Sequence, residues 1–161
     1  MYASVSSTGF CRTCKVKGLM GKLKSIVMID WTLIPLFVLT VYTGLKFHGA
    51  GHSAEPELIH AWMVRHFFIS FVLLIVCSFH LKSHRYWYKG VLKNGLGKKS
   101  KVTLFLSFIF LLVSITGFML LGVSGMNTPL GLLHYKMGFV LVILGIWHIL
   151  KRGSALLKIN N

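Results

Sequence analysis

Negative charge is almost missing from this 161-residue chain, which has 3 Asp and Glu residues against 18 Lys and Arg. Charge of any sign is scarce, because only 13% of the residues are charged while 55% are hydrophobic. A chain with so few polar residues cannot cover a soluble surface. The composition therefore excludes an ordinary soluble domain and predicts an integral membrane protein.

Cysteine is equally scarce, with 3 residues, and no CxxCH sequence occurs. The absence of this motif excludes covalent attachment of a c-type haem. Cys11 and Cys14 form a lone CxxC, but two cysteines cannot complete a zinc or iron–sulfur site. Free thiols in a reducing compartment are the favoured interpretation, and a site shared with a partner stays open. Cys77 is expected to be a small buried residue.

Long apolar segments occupy most of the chain. Crossing a bilayer takes about 20 apolar residues in a helix, and four segments meet this length. They cover residues 26–45, 60–81, 102–123 and 130–150. The sequence thus predicts a cytoplasmic tail over 1–25, a four-helix membrane domain over 26–150 and a second cytoplasmic tail over 151–161. The first segment is expected to be a retained signal anchor.

The basic residues cluster before the first segment, between the second and third, and after the fourth. Only Lys46, Arg65 and Lys136 lie on the other side. By the positive-inside rule both termini are cytoplasmic, and residues 46–59 and 124–129 are the outer connections. The net charge of +15 is therefore assigned to membrane topology and not to nucleic-acid binding.

Four histidines form two pairs with the same spacing: His66 with His80, and His134 with His148. Their separation of fourteen residues is close to four helical turns, so both members of a pair share a face, about 21 Å apart. The second and fourth helices run in the same direction, which places His66 level with His134 and His80 level with His148. Ionisable residues within membrane helices usually have a function, and four at matched depths predict two stacked metal centres.

An internal repeat supports this pairing. A shift of 68 positions aligns both histidines of the second helix with those of the fourth. A shift of 73 aligns Thr43 and Gly44 of the first helix with Thr116 and Gly117 of the third. The repeat therefore predicts a duplicated two-helix hairpin, which forms an all-α bundle of four transmembrane helices.

Small residues lie on the histidine faces. Four and eleven positions after the leading histidines stand Ser70, Cys77, Gly138 and Gly145, each within roughly 40° of its histidine. They make these faces shallow enough for a flat cofactor, although ordinary close packing of membrane helices also explains them. Gly44 and Gly117 are expected to let the backbone approach the outer cofactor.

The number of ligands at each level selects the cofactor. Two histidines per level fall short of the four ligands that zinc usually takes. A haem iron takes four nitrogens from its porphyrin, so two axial histidines complete it. The sequence therefore predicts two b-type haems, with His66, His80, His134 and His148 as iron ligands.

Haem propionates require cations, and basic residues lie near both levels. Arg65 and Lys136 lie beside the outer pair, and Lys82, Arg85, Lys151 and Arg152 lie beyond the inner pair. Snorkelling to lipid headgroups explains these residues equally well.

The histidine spacing on the second and fourth helices, with glycine on the first and third, resembles the haem-bearing bundle of cytochrome b in quinol-oxidising complexes. The short chain and the run HLKSHRYWYKG are more similar to small diheme membrane cytochromes of the cytochrome b561 and formate dehydrogenase gamma type. The resemblance covers the second to fourth helices and departs at the first, which has no histidine. It implies electron transfer between a membrane quinone and a partner redox protein, as a subunit of a larger complex in a prokaryotic plasma membrane.

Residues outside the ligand set have weaker signals. His48, His52, Glu55, Glu57 and His60 crowd the first outer connection, and suit the transfer of protons from a quinol, although a solvated loop explains them as well. His84 is expected at the inner haem edge, as a propionate partner, a quinone contact or an interface histidine. Asp30 is expected to complement a helix N-terminus or a nearby lysine.

Two other functions remain open. A metal-ion transporter could use the intramembrane histidines as a relay, but the segments between the histidine levels are apolar. A quinone-linked thiol oxidoreductase could use the CxxC, but the charge pattern places those thiols inside. The chain itself is expected to be an electron-transfer subunit and not a complete enzyme.

Overall fold

The computed structural model describes the backbone of residues 8–52, 55–95, 97, 100–122 and 128–159. Within these ranges it describes the side chains from 24 to 151, apart from those at 94 and 100. The described part consists of helices. The α-helices are α1 (Thr8–Ala50), α2 (Pro56–Ser83), α3 (Arg85–Asn94), α4 (Ser100–Met119) and α5 (Pro129–Ile159), and a 3₁₀ turn at Leu120–Gly122 extends α4.

Four of these helices are long and apolar enough to cross a membrane. The apolar parts are Lys24–Ala50 in α1, Pro56–Ser83 in α2, Lys101–Gly122 at α4 and Pro129–Lys151 in α5. This confirms the all-α class and the four expected spans, and it indicates an integral membrane protein.

The long helices pack as two hairpins. Helix α1 packs along α2, and α4 packs along α5, whereas contacts between the hairpins are sparse and include α1 with α5. An apolar groove of about 290 Å³ remains along the α1–α5 contact, between residues such as Phe37, Val41, Val142 and Ile146. The hairpins expected from the repeat are therefore the packing units, and they meet loosely.

Two helical parts have no counterpart among the predicted spans. Helix α1 begins at Thr8, well before its apolar part at Lys24. Helix α3 follows α2 after a break at His84, whose φ of −95° and ψ of 13° depart from helical values. The Tyr88 hydroxyl lies 2.8 Å from the Ser107 hydroxyl of α4, which fastens α3 to the second hairpin.

Burial is slight throughout the described residues, and many large apolar side chains are exposed, Leu92, Met28 and Leu150 at 70% or more. Such a surface suits lipid and not water. The few buried residues include Thr43 and Thr116, which are 4% and 9% exposed. These two threonines occupy equivalent positions in the repeat, and both belong to the site described next.

Candidate functional site

The outer histidines of the two hairpins meet. The ring centroids of His66 on α2 and His134 on α5 lie 6.4 Å apart, with ring planes at 79°. The structure thus brings together two residues that the repeat aligns. Both rings are half-buried, and they link the first hairpin to the second.

A threonine from the neighbouring helix orients each of these rings. The Thr43 hydroxyl lies 3.2 Å from His66 Nδ1, and the Thr116 hydroxyl lies 3.0 Å from His134 Nδ1. Each hydroxyl directs its single proton to carbonyls of its own helix, the shortest contact being 2.9 Å in both. With that proton directed to a carbonyl, the hydroxyl is placed to accept from an Nδ1–H. The tautomer that carries its proton on Nδ1 leaves the Nε2 lone pair for a metal.

The glycine that follows each threonine lies against the same histidine. A Cβ atom at Gly44 would stand 3.0 Å from His66 Cε1, and one at Gly117 would stand 3.2 Å from His134 Cε1. A Cβ atom at either position would be in tight contact with the imidazole ring. The two hairpins therefore hold their outer histidines by the same Thr-Gly arrangement, which accounts for those two pairs in the repeat.

The inner end of the first hairpin is built differently. His80 Nδ1 on α2 lies 2.7 Å from Asp30 Oδ1 on α1, and the His80 ring stands 4.7 Å from the ring of His84. Asp30 is thus a partner of His80 and lies well inside α1, so the expected role at a helix N-terminus is wrong. The expected role beside a lysine stays a prediction. Position 103 is the repeat equivalent of Asp30 and holds a threonine. His148, half-buried on α5, is the repeat equivalent of His80.

The separation of the two outer rings suits two imidazoles on one metal ion. Metal–imidazole bonds of about 2 Å, extended to the ring centres, would place two such rings about 6 Å apart, and the observed separation of the centroids is 6.4 Å. A bis-histidine haem would be held here by His66 and His134, and at the inner level by His80 with His148. The group would supply one-electron redox chemistry at each level.

The face between the levels has features that a bound group would explain. The Ser70 hydroxyl is buried and has no hydrogen-bond partner among the described residues, although an orphaned polar group costs about 1–3 kcal/mol. A Cβ at Gly138 would meet nothing within 4 Å. Both positions lie one turn after a leading histidine.

Gly145 has a different environment. It is buried, and a Cβ there would stand 2.7 Å from Phe37 Cζ of α1. The structure therefore places Gly145 at a close contact between the hairpins, where small residues let helices approach. Its predicted contact with a macrocycle stays a prediction.

The cations of the sequence pattern lie over aromatic rings. The Arg65 guanidinium stands 4.8 Å from the Trp62 ring, and that of Arg85 stands 4.9 Å from the Tyr86 ring. Arg85 also donates to the Tyr86 hydroxyl over 3.2 Å. Both arginines are exposed, as residues at a headgroup boundary would be, and their role toward propionates stays a prediction. Arg152, Cys11 and Cys14 lie outside the described side chains.

The outer connection gathers some of the expected acid–base groups. His48 stacks on Tyr135 with a centroid distance of 4.0 Å, and His52 stands 5.3 Å from His48. Tyr135 directly follows His134, so this stack joins the end of α1 to the outer site. Glu55, Glu57 and His60 are exposed.

Sequence reasoning missed three functional candidates: Asp30, Thr43 and Thr116. The threonines had a signal, because the repeat keeps both of them directly before a glycine. Asp30 had a weaker one, as the only acidic residue inside an apolar segment.

No family model, curated protein or solved structure matches this chain.

Proposed function

We propose that this protein is a membrane diheme cytochrome b that carries electrons between a membrane quinone and a partner redox protein. The observation that carries the proposal is the meeting of His66 and His134 at 6.4 Å, each oriented by an equivalent threonine and glycine. Two hairpins that present a histidine to the same point form a bis-imidazole clamp. Because the repeat also aligns His80 with His148, the proposal assigns a second haem to this pair.

Orientation of the ligands supports a metal role over simple helix packing. In metal-binding histidines, the N–H of the second ring nitrogen usually donates a hydrogen bond to a carboxylate, a carbonyl or another acceptor. His66, His134 and His80 each direct Nδ1 toward an oxygen of the neighbouring helix. Helix packing alone does not require three histidines to direct the same ring nitrogen at an oxygen of the neighbouring helix.

Haem centres within a bundle of membrane helices suit one-electron transfer. A quinone is the membrane-soluble reactant of this chemistry. His48, His52 and Tyr135 lie beside the outer site and could exchange protons with it.

The test is a reduced-minus-oxidised absorption spectrum of the purified chain, followed by anaerobic addition of a short-chain quinol. The proposal predicts b-type haem bands and their reduction by quinol. A His66→Ala, His80→Ala double variant, which keeps one histidine at each level, serves as the control and should lose both bands. A wild-type protein without haem bands would overturn the proposal, and haem that no quinol reduces would remove the quinone from it.

A second candidate function rests on the inner cluster. Asp30, His80 and His84 each offer a ligand atom, and these atoms lie within 4.8 Å of one another. Such a set could hold a divalent ion for a metal-ion transporter. Metal analysis separates the candidates: a transporter site would retain zinc in wild type and lose it in His84→Ala, whereas the cytochrome would retain iron in both.

A further inference from the structure

The two levels of the site differ in charge. At the outer level Nδ1 of each histidine lies beside a neutral threonine hydroxyl. At the inner level His80 donates to the Asp30 carboxylate over 2.7 Å. Asp30 is the only aspartate of the chain, and Glu55 and Glu57, the other two acidic residues, are exposed near the outer end of α2.

A carboxylate changes the ligand that it contacts. An imidazole that donates to a carboxylate gains negative character at its other nitrogen and becomes a more basic ligand. A more basic ligand stabilises ferric over ferrous iron and lowers the reduction potential. A neutral hydroxyl in the same position has a much smaller effect.

The basic residues at the inner end do not cancel this effect. Lys82, Arg85 and Lys151 are exposed, where water and salt weaken their fields over about 10 Å. Asp30 and His80 have side chains that are only 16% and 24% exposed, and they are in direct contact. The outer level has exposed cations too, Arg65 and Lys136. The inner end has more of them, so the proposed order of potentials depends on the direct contact between Asp30 and His80.

We propose that Asp30 is a positioning residue that makes the inner haem the lower-potential centre, so that electrons run from the inner to the outer level. This inference rests on the proposed function. Each transfer oxidises a ferrous inner iron and reduces a ferric outer iron by one electron. The electron donor then belongs at the inner end, the end of His80 and Asp30. This order reverses the direction in which a quinol at the outer loop would deliver electrons.

The test is a potentiometric titration of the purified protein, followed by haem absorbance. The single-haem variants assign the waves, since His66→Ala should keep only the inner haem and His80→Ala only the outer one. The inner haem should have the lower midpoint. In Asp30→Asn, at a fixed ambient potential, the ratio of reduced to oxidised inner haem should rise about tenfold, which equals about 59 mV for one electron. The midpoint potential of the outer haem should not change.

Glu57→Gln is the matched control, because it removes one negative charge at an exposed position, and both waves should stay in place. Asp30→Glu, which keeps the charge, should hold the inner midpoint near the wild-type value. An inner haem with the higher midpoint, or an Asp30→Asn protein with an unchanged lower wave, would overturn the inference alone. A wild-type protein without haem would instead overturn the proposed function, and this inference with it.

Discussion

At the scale of single residues, the outer site depends on two threonines that the sequence pairs and the structure places on histidine rings. Each hydroxyl donates to a carbonyl of its own helix and lies within hydrogen-bond distance of Nδ1, so one atom orients a histidine ring. The pairing of Thr43 with Thr116 was visible in the repeat. Their role was not, because the pattern of a helix gives a position and no partner.

Thr43→Val tests this role. Loss of the acceptor should weaken haem binding at the outer level about 10–100-fold, as is typical for partners of metal ligands. Thr32→Val is the control, since the exposed Thr32 hydroxyl of the same helix donates to the Met28 carbonyl. Haem retention during dilution of the purified variants gives the measurement, and equal retention in both would contradict the role of Thr43.

Gly44→Ala should displace His66, because the added Cβ would stand 3.0 Å from Cε1. We expect loss of the outer haem with the inner haem retained. Gly49→Ala on the same helix meets nothing within 4 Å and should bind both haems. The absorption spectrum of each purified variant decides the matter; an intact outer haem in Gly44→Ala would show that the ring has room to move.

At the scale of helices, the sequence predicted the apolar spans well because length and hydropathy decide them. The segment predicted at 60–81 lies within Pro56–Ser83, and the one predicted at 130–150 lies within Pro129–Lys151. Helix α3 escaped prediction because an amphipathic ten-residue helix has no apolar run of membrane length. The contact of Asp30 with His80 was not predicted either, because the apolar part of α1 gives no sign of which face packs on α2.

Gly138 and Gly145 separate cofactor contact from helix packing. Gly145→Leu should drive Phe37 away and loosen the contact between the hairpins, because Phe37 already fills the space beside it. Gly138→Leu enters open space, so it should leave the haem-free protein as stable as wild type while it lowers haem content. Thermal unfolding in detergent with and without haem measures both effects, and normal haem content in Gly138→Leu would assign that glycine to packing alone.

At the scale of the whole molecule, the two hairpins meet loosely and share the outer histidine pair. The matched depths of His66 and His134 followed from two sequence observations, the repeat and the positive-inside rule. The difference in charge between the two levels did not follow from the sequence. It depends on Asp30, whose repeat equivalent at position 103 is a threonine.

The orientation in the membrane is open to cysteine labelling. In a chain with its three native cysteines replaced by serine, Gly49→Cys lies at the outer end of α1 and Leu92→Cys lies in α3, where it is 86% exposed. A membrane-impermeant maleimide added to intact cells should label position 49, and should label position 92 only after permeabilisation. The reverse pattern would invert the assigned topology.

The central claim is that each histidine pair holds one haem. The most direct measurement is the number of haems per polypeptide in the purified protein, by pyridine haemochrome absorbance against amino-acid analysis. We predict two b-type haems in wild type and one in either His66→Ala or His80→Ala, because the levels are clamped separately. A wild-type chain without stoichiometric haem, or single variants that still hold two, would contradict the account.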